Sequence, residues 1–364
     1  MRLDGEAVGE IGDAFGKGFA GHGAQHYCSS MAIQLKSVRV ERWPVAGEFV
    51  ISRGATDHVD VVVAEIEGAK GDGGAIGRGE GTPIYYHGED AAGCRDALLR
   101  VIPLLADMGA GEARAAVQEM LGAGAARNAL DCALWDLEAQ QRGKPLWQLA
   151  GCDGPPTPRL TAFTISLAAP DLMAVQAAAA VTEGYRLLKL KLTGEGDRAR
   201  VAAVRGGAPD ARLIVDANES WGQLDLLGEA EALAELGVEM IEQPVPVGAD
   251  ALLDGVYAPL PFVADESCQT AADIARIGTF YDGVNIKLDK AGGLTEALRL
   301  ADAADAAGLG IMVGCMLSTS LAIAPAFVLA QRAQWVDLDG PALLARDRED
   351  GFRFEGGRIT PPPA

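Results

Sequence analysis

Val284-Asn285-Ile286-Lys287-Leu288 is a short apolar run closing on a lysine, and it is the last of five such runs in the chain. Reading backwards, the others are Ala264-Asp265-Glu266-Ser267, Ile241-Glu242-Gln243-Pro244, Val215-Asp216-Ala217-Asn218 and Leu190-Lys191-Leu192. Each sets one acid or amine at, or just past, the end of an apolar stretch. The steps from Lys191 to Asp216, Glu242, Asp265 and Lys287 are 25, 26, 23 and 22 residues, with Ala/Leu/Glu-rich stretches between them. That step fits one strand plus one helix. Repeated units of this kind build a (β/α) barrel, whose active sites lie at the C-terminal ends of the strands. One mouth would then hold a lysine, three carboxylates and a second lysine, in that order around the ring. Three carboxylates make a site for a hard cation. Two lysines flanking a bound substrate make two opposed proton-transfer groups.

A chain of 364 residues holds one such barrel and something more. At 49% hydrophobic and 23% charged it has ordinary globular composition. Its net charge of −20 argues against nucleic acid or an anionic membrane as partner. An anionic small molecule is still open to it, because local Lys, Arg and metal invert the field. The six cysteines are scattered without CxxC spacing, which points to reduced thiols and a cytoplasmic protein. No apolar run reaches the length of a membrane span.

Residues 1–30 are Gly-rich and acidic, without the apolar segment of a signal peptide, and read as a disordered extension. Residues 31–155 read as an α+β domain. Strand-like runs lie at 33–42, 48–53 and 59–67, with turn chemistry at Lys70-Gly71-Asp72-Gly73-Gly74. Helical stretches follow at about 89–108, 111–121 and Ala125–Arg142. A Pro/Gly-rich junction from Pro145 to Pro158 leads into a barrel over 156–339. Its first strand is 160–166, its second 187–192, its seventh Gly310–Val313 and its eighth Trp335–Leu338. Thr295, after Gly292-Gly293, reads as a helix N-cap. The segment 340–364 is too short for another unit and should return to the first domain.

Lys189-Leu190-Lys191, Asp216-Ala217-Asn218, Glu242-Gln243-Pro244, Ala264-Asp265-Glu266-Ser267 and Asn285-Ile286-Lys287-Leu288-Asp289-Lys290-Ala291-Gly292-Gly293 resemble, in that order, the motifs of the enolase superfamily and its muconate-lactonizing subgroup. The resemblance covers essentially all of 31–364. Each motif is weak alone, but the ordered set at barrel spacing is specific. It implies a (β/α)7β modified TIM barrel with an α+β N-terminal capping domain completed by the C-terminal tail. A narrower likeness lies at Asp337-Leu338-Asp339-Gly340-Pro341 and at Gly314-Cys315-Met316-Leu317-Ser318-Thr319-Ser320. Both look like segments of dipeptide epimerases, including those that interconvert L-Ala-L-Glu and L-Ala-D-Glu in peptidoglycan peptide metabolism.

The resemblance implies an isomerase that moves a proton at a carbon α to a carboxylate, through an enediolate that needs a cation. Superfamily sites of this kind are known to pair a Lys or His base with Mg²⁺. Asp216, Glu242 and Asp265 would hold the Mg²⁺. A lone carboxylate at a strand end more often caps a helix or pairs with a lysine, but three on successive strands favour metal. Lys191 and Lys287 would serve the two faces of the α-carbon. Lys189, two residues from Lys191 on one strand, points to the same side and lowers its pKa. All four histidines (22, 26, 58, 87) precede the barrel, which disfavours a His–Asp dyad as in mandelate racemase.

Asp337 and Asp339 share a face if the strand persists, and two clustered carboxylates call for a cation such as the substrate's α-ammonium. In similar enzymes an arginine at the place of Arg53 binds the side-chain carboxylate of glutamate, a task that suits a guanidinium. Thr164 matches a strand-one hydroxyl near the substrate. Tyr86 and His87 depart from the Arg-Tyr pair common in Glu-dipeptide enzymes, which leaves the second residue of the dipeptide open. The rival reactions on the same lysines are o-succinylbenzoate synthesis, N-succinyl-amino-acid racemisation and muconate cycloisomerisation. Their substrates carry no free ammonium for the aspartate pair. The superfamily often forms homo-oligomers, and none of these residues identifies an interface.

Overall fold

A computed structural model describes residues 33–68 and 74–362. The expectations for residues 1–30 and for the turn at 70–73 fall outside the described residues. The chain opens on a long hairpin, β1 (Gln34–Ile51) and β2 (Gly54–Glu67), joined by Ser52-Arg53. The break expected between 42 and 48 is a bulge within β1, not a turn. Register slips between Pro44 and Phe49 while pairing with β2 continues, and Gly47 takes φ of 88° there. A third strand, β3 (Ile76–Gly81), pairs antiparallel with β2.

Helices α1 (Ala91–Val101), α2 (Ala110–Met120) and α3 (Ala125–Arg142) complete the cap. The α3 boundaries match the helical spacing read from sequence. Its contact with β3 is unusually close. Gly77, Gly79 and Gly81 share one face of β3, and a Cβ on them would lie 2.0, 2.1 and 2.2 Å from the carbonyl oxygens of Ala133, Ala129 and Ala125. Alternate glycines on a strand thus receive every fourth residue of a helix. Glu80, pointing the other way, accepts from the Thr319 amide and pairs with Arg348, which ties the cap to the barrel.

After β4 (Arg159–Leu160), eight parallel strands form the barrel. They are β5 (Ala162–Ile165), β6 (Leu187–Lys191), β7 (Arg212–Asp216), β8 (Val238–Glu242), β9 (Phe262–Ala264), β10 (Gly283–Lys287), β11 (Gly310–Gly314) and β12 (Trp335–Asp337). Ladder pairing runs in chain order from β5 to β12. Side chains close the seam between the two ends. The Leu338 amide donates to Thr161 Oγ1 at 2.9 Å, and the Thr164 amide to Asp339 Oδ2 at 2.7 Å.

Strand alternation sorts the core. Leu187 joins Ala162, Ile214, Met240, Val263 and Met312 in a plug inside the barrel, whereas Leu188 and Leu190 pack outward against the helices. Lys189 and Lys191 follow Leu187 inward. Thr295 is not an N-cap. Its helix is Leu294–Ala306, with Gly293 at the cap position. Asp131, from α3, accepts both the amide and the hydroxyl of Thr295 and so caps this helix from the other domain. The C-terminal segment first crosses the cap, through a Val45–Leu344 bridge and the Arg348–Glu41 pair. It then ends as a hairpin, β13 (Arg353–Glu355) and β14 (Arg358–Thr360), against β4.

Candidate active site

Register brings the five marker residues to one rim. Lys191 is level with Asp216 and Asp216 with Glu242, while Lys287, Gly314 and Asp337 are level on the other side. Asp265 lies just past the end of β9. All of these charged side chains are buried, with Asp216 and Glu242 fully so. The cap covers the rim and encloses a cavity of about 500 Å³ that Arg53, Tyr86, Thr164, Lys191, Asp265, Lys287, Asp337 and Asp339 all line.

The sequence leads one to expect carboxylates facing a common cation, but here ammonium groups hold their oxygens. Lys191 Nζ donates to Asp216 Oδ2 at 2.7 Å, and Lys287 Nζ to Asp265 Oδ2 at 2.7 Å. Lys189 Nζ sits 2.7 Å from Glu242 Oε2, 2.8 Å from Asp337 Oδ2 and 3.4 Å from Asp216 Oδ2. Lys290 Nζ lies 2.6 Å from Asp265 Oδ1 and donates to the carbonyls of Cys268 and Asn285. Among the described residues no three acidic, imidazole or thiol groups are drawn together as a coordination shell. Buried anions take the nearest cations.

The donor set fits a divalent cation all the same. Five cationic groups (Arg53, Lys189, Lys191, Lys287, Lys290) interlock here with seven carboxylates (Asp216, Glu219, Glu242, Asp265, Glu266, Asp337, Asp339). Counted as fully ionised, the set falls short by two positive charges, which a bound cation would supply and which protonation of the raised carboxyls would otherwise relieve. Glu242 Oε2 and Asp265 Oδ1 meet their lysines without a directed hydrogen bond. Burial, with Asp216 adding to it, pushes Glu242 up to about 7. Burial would also raise Asp216, but Lys191 and Lys189 override it and hold that carboxyl at about 2. Asp265 is held well below the usual range because Lys287 and Lys290 outweigh its burial. Burial alone would lower Lys287, yet Asp265 keeps it well above the ordinary lysine value. Lys189 is likewise raised against its own burial, by Asp337 and Glu242. These groups titrate as a set.

The aspartate pair differs from the sequence expectation in detail. The strand ends at Asp337, and Asp339 occupies the N-cap position of the turn Gly340–Leu343. Both carboxylates nevertheless line the cavity. Asp337 already has an ammonium partner in Lys189, while its Oδ1 has no hydrogen bond. Asp339 is pushed up to about 7 by burial and by Asp337. Thr164 meets Asp339 through its backbone amide at 2.7 Å. Arg53 reaches over the mouth from the hairpin tip, and Leu167 anchors that tip by donating to the Val50 carbonyl at 3.0 Å. Its guanidinium is shared between Glu219 and Glu266, the latter at 2.8 Å.

Several supporting residues stand inside the motifs without a part that the sequence assigns. Gln243 takes a positive φ of 37° directly after Glu242. Its side-chain oxygen accepts from the Asp265 and Ser267 amides, and its Nε2 donates to Val245 O, Ser267 Oγ and the Tyr281 hydroxyl. Gln243 thereby locks β8 to β9 beneath the rim. Asn218 and Glu219 also take positive φ, at 44° and 67°. Such strain in non-glycine residues gathers at functional sites. Asn285 Nδ2 donates to Glu242 Oε1 at 2.7 Å.

Comparison with known proteins agrees with this architecture. Residues 172–364 match the family described as enolase C-terminal domain-like, and residues 33–151 match the mandelate racemase / muconate lactonizing enzyme N-terminal domain. The L-Ala-D/L-Glu epimerase of Escherichia coli K12 is 45% identical over 89% of this chain and 99% of its own. An N-acetyl-D-glutamate racemase of a Pseudoalteromonas species is also 45% identical, over 66% of this chain and 75% of its own. The crystal structure of a dipeptide epimerase from Enterococcus faecalis, in complex with Mg and L-Leu-L-Tyr, superposes with a TM-score of 0.84 at 30% identity, covering 92% of this chain and 98% of that one.

Proposed function

The chain belongs to the mandelate racemase/muconate lactonizing branch of the enolase superfamily and is an isomerase of the dipeptide-epimerase kind, and from that premise we propose that it interconverts L-Ala-L-Glu and L-Ala-D-Glu. The observation that carries this reading is the placement of Lys191 on β6 and Lys287 on β10. These are the second and sixth strands of an eight-stranded ring, so the two ammonium groups face each other across the mouth. Between them a bound α-carbon can lose its proton to one lysine and regain one from the other, which inverts the centre.

Asp216, Glu242 and Asp265 would hold Mg²⁺, which when bound supplies positive charge for the carboxylate that gains electron density as the proton leaves. The chain's own electrostatics bear on Lys287. What keeps Lys287 protonated is Asp265, while its burial and the nearby Lys189 both favour the neutral amine. Once Asp265 directs its charge elsewhere, the strongest influence that keeps Lys287 protonated is gone, and its burial and Lys189 weigh against the lesser pull of Glu242 and Tyr86. Lys189 lies almost wholly buried on the cavity wall, gripped by Asp216, Glu242 and Asp337, and would act mainly through its charge.

Asp337 and Asp339 would receive the substrate's ammonium, with Thr164 orienting Asp339 through its amide. Arg53 would face the second side chain. The relative that racemises N-acetyl-glutamate supports a second reading, in which the amino group of the substrate is acylated. The aspartate pair favours the free dipeptide. One experiment tests the assignment: incubation of L-Ala-L-Glu with enzyme and Mg²⁺ in D₂O, read by mass shift and chiral chromatography. Absence of both α-deuteration and epimer would sink it.

A cytoplasmic place in the metabolism of peptidoglycan peptides completes the reading. Among the described residues no helix is long and apolar enough to cross a membrane. Recovery of the protein from a membrane or secreted fraction would overturn this part.

A further inference from the structure

We infer that the Tyr86 hydroxyl is a specificity-determining donor that binds the side-chain carboxylate of the substrate's second residue. The inference rests on the dipeptide reading above and deepens it. Tyr86 lies in the turn Tyr85–His87 of the cap, on the wall of the active-site cavity. Its hydroxyl oxygen is buried and has no hydrogen-bond partner. A buried polar group without a partner is uncommon and calls for one that arrives later.

Most other polar cap groups on this wall are already engaged, and the Tyr85 side chain is half exposed to solvent. Arg53 pairs with Glu219 and Glu266, Thr56 donates to the His58 carbonyl, and Thr82 donates to the Leu317 carbonyl. Asp60 accepts from Arg42, and Glu89 accepts from the Ile84 amide.

The direction of the substrate then selects its side chain as the missing partner. The reacting carbon must sit between Lys191 and Lys287. Its carboxylate turns down toward Asp216, Glu242 and Asp265, and its nitrogen turns toward Asp337 and Asp339. Only the direction of the cap is left for the side chain, where Tyr86 stands in the field of Lys287, Asp265, Glu266 and Arg53. The Arg53 guanidinium lies over the Tyr86 ring, 5.0 Å from its centroid. An acidic side chain would meet a phenolic donor whose hydrogen bond is otherwise unmade. An alkyl side chain would leave the hydroxyl unpaired.

The test is Tyr86→Phe, which keeps the ring and its contact with Arg53. Initial rates are measured in Mg²⁺ for L-Ala-L-Glu and L-Ala-L-Met, alongside circular dichroism and a thermal melt of each protein. The ratio of kcat/KM for the glutamate over the methionine dipeptide should fall at least tenfold, mostly through KM for the glutamate dipeptide. A folded Tyr86→Phe protein whose ratio stays within twofold of wild type overturns the inference and leaves the dipeptide reading standing. A wild-type enzyme that exchanges the α-proton of neither dipeptide overturns both.

Discussion

Acetylation of the substrate's amino group should cost this enzyme about thirtyfold in kcat/KM. A free L-Ala-L-Glu brings an ammonium with three donors to the cavity wall formed by Asp337 and Asp339. Asp337 has committed Oδ2 to Lys189 at 2.8 Å but leaves Oδ1 without a hydrogen bond. Asp339 has committed Oδ2 to the Thr164 amide at 2.7 Å. Asp337 can therefore offer its second oxygen, and Asp339 adds its charge beside it. Hydrogen bonds to charged groups contribute about 1.5–3 kcal/mol each, and cutting one partner from a buried charge pair costs about 2–5 kcal/mol. Lys189 already offsets one of the two charges, so the low end applies. About 2 kcal/mol corresponds to about thirtyfold. The pH profile adds a second signature. Burial and Asp337 hold the Asp339 carboxyl up at about 7. As pH falls through that value Asp339 takes a proton and ceases to attract an ammonium. Discrimination between L-Ala-L-Glu and N-acetyl-L-Ala-L-Glu should therefore shrink between pH 8 and pH 6, and Asp339→Asn should shrink it at every pH. The assay is kcat/KM for both substrates by chiral chromatography across that range. Equal turnover of the two at pH 8 would refute the ammonium site and turn the assignment toward racemisation of N-acylated glutamate.

The two lysines should be stereospecific: Lys191→Ala should abolish α-proton exchange from one epimer and Lys287→Ala from the other, with net epimerisation lost in both. Equal exchange of both epimers by either variant in D₂O would point to a one-base mechanism. Chelation should abolish turnover, and Mg²⁺ should restore it and raise Tm, because a ligand bound only by the folded state stabilises it. Asp216→Asn, Glu242→Gln and Asp265→Asn should each weaken that Tm response, and full activity in excess chelator would dispose of the cation site. Gly79→Ala should lower Tm by about 1–4 °C, since overpacking costs about 1–3 kcal/mol and the new Cβ would lie 2.1 Å from a helix carbonyl. Gly206→Ala, in a helix with open space around the new Cβ, should not lower it, and similar melting of the two variants would show that the glycine stripe is not what seats α3.

What could be read from the sequence was whatever one strand decides alone. An apolar run of four or five residues ending in a charged one marks both the strand and its open end, so Lys191, Asp216, Glu242 and Lys287 were visible with their level on the rim. Alternation along Leu187–Lys191 also put both lysines on the inner face, as found. Helix α3 was legible because its apolar spacing is a local signal. Residues whose parts depend on two distant elements were not. Nothing near Thr295 announces that Asp131 caps its helix from the other domain. Nothing near Gly77, Gly79 and Gly81 says that a helix will rest on them. Arg53 does line the mouth, but its partners Glu219 and Glu266 come from loops after β7 and β9, and one of them needs a positive φ to arrive.

The charges of the site show why such long-range partners matter to the chemistry. A lysine inside a barrel has two stable fates. Burial makes it a neutral amine, and a carboxylate makes it a fixed cation. Lys287 is held between them by Asp265, which also belongs to Lys290. Lys290 is enclosed at 1% exposure and grips the carbonyls of Cys268 and Asn285, which holds its ammonium in place beside Asp265. Lys287 lines the cavity and pairs with the same carboxylate through the other oxygen. Asp265 can therefore relinquish Lys287 without being left bare, because Lys290 remains. An isolated Lys–Asp pair could not separate so readily, since breaking it strands a buried charge at about 3–5 kcal/mol. On the proposed mechanism, the second lysine of the Lys287-Leu288-Asp289-Lys290 segment would let the first be held as a cation in one state and released as a base in another.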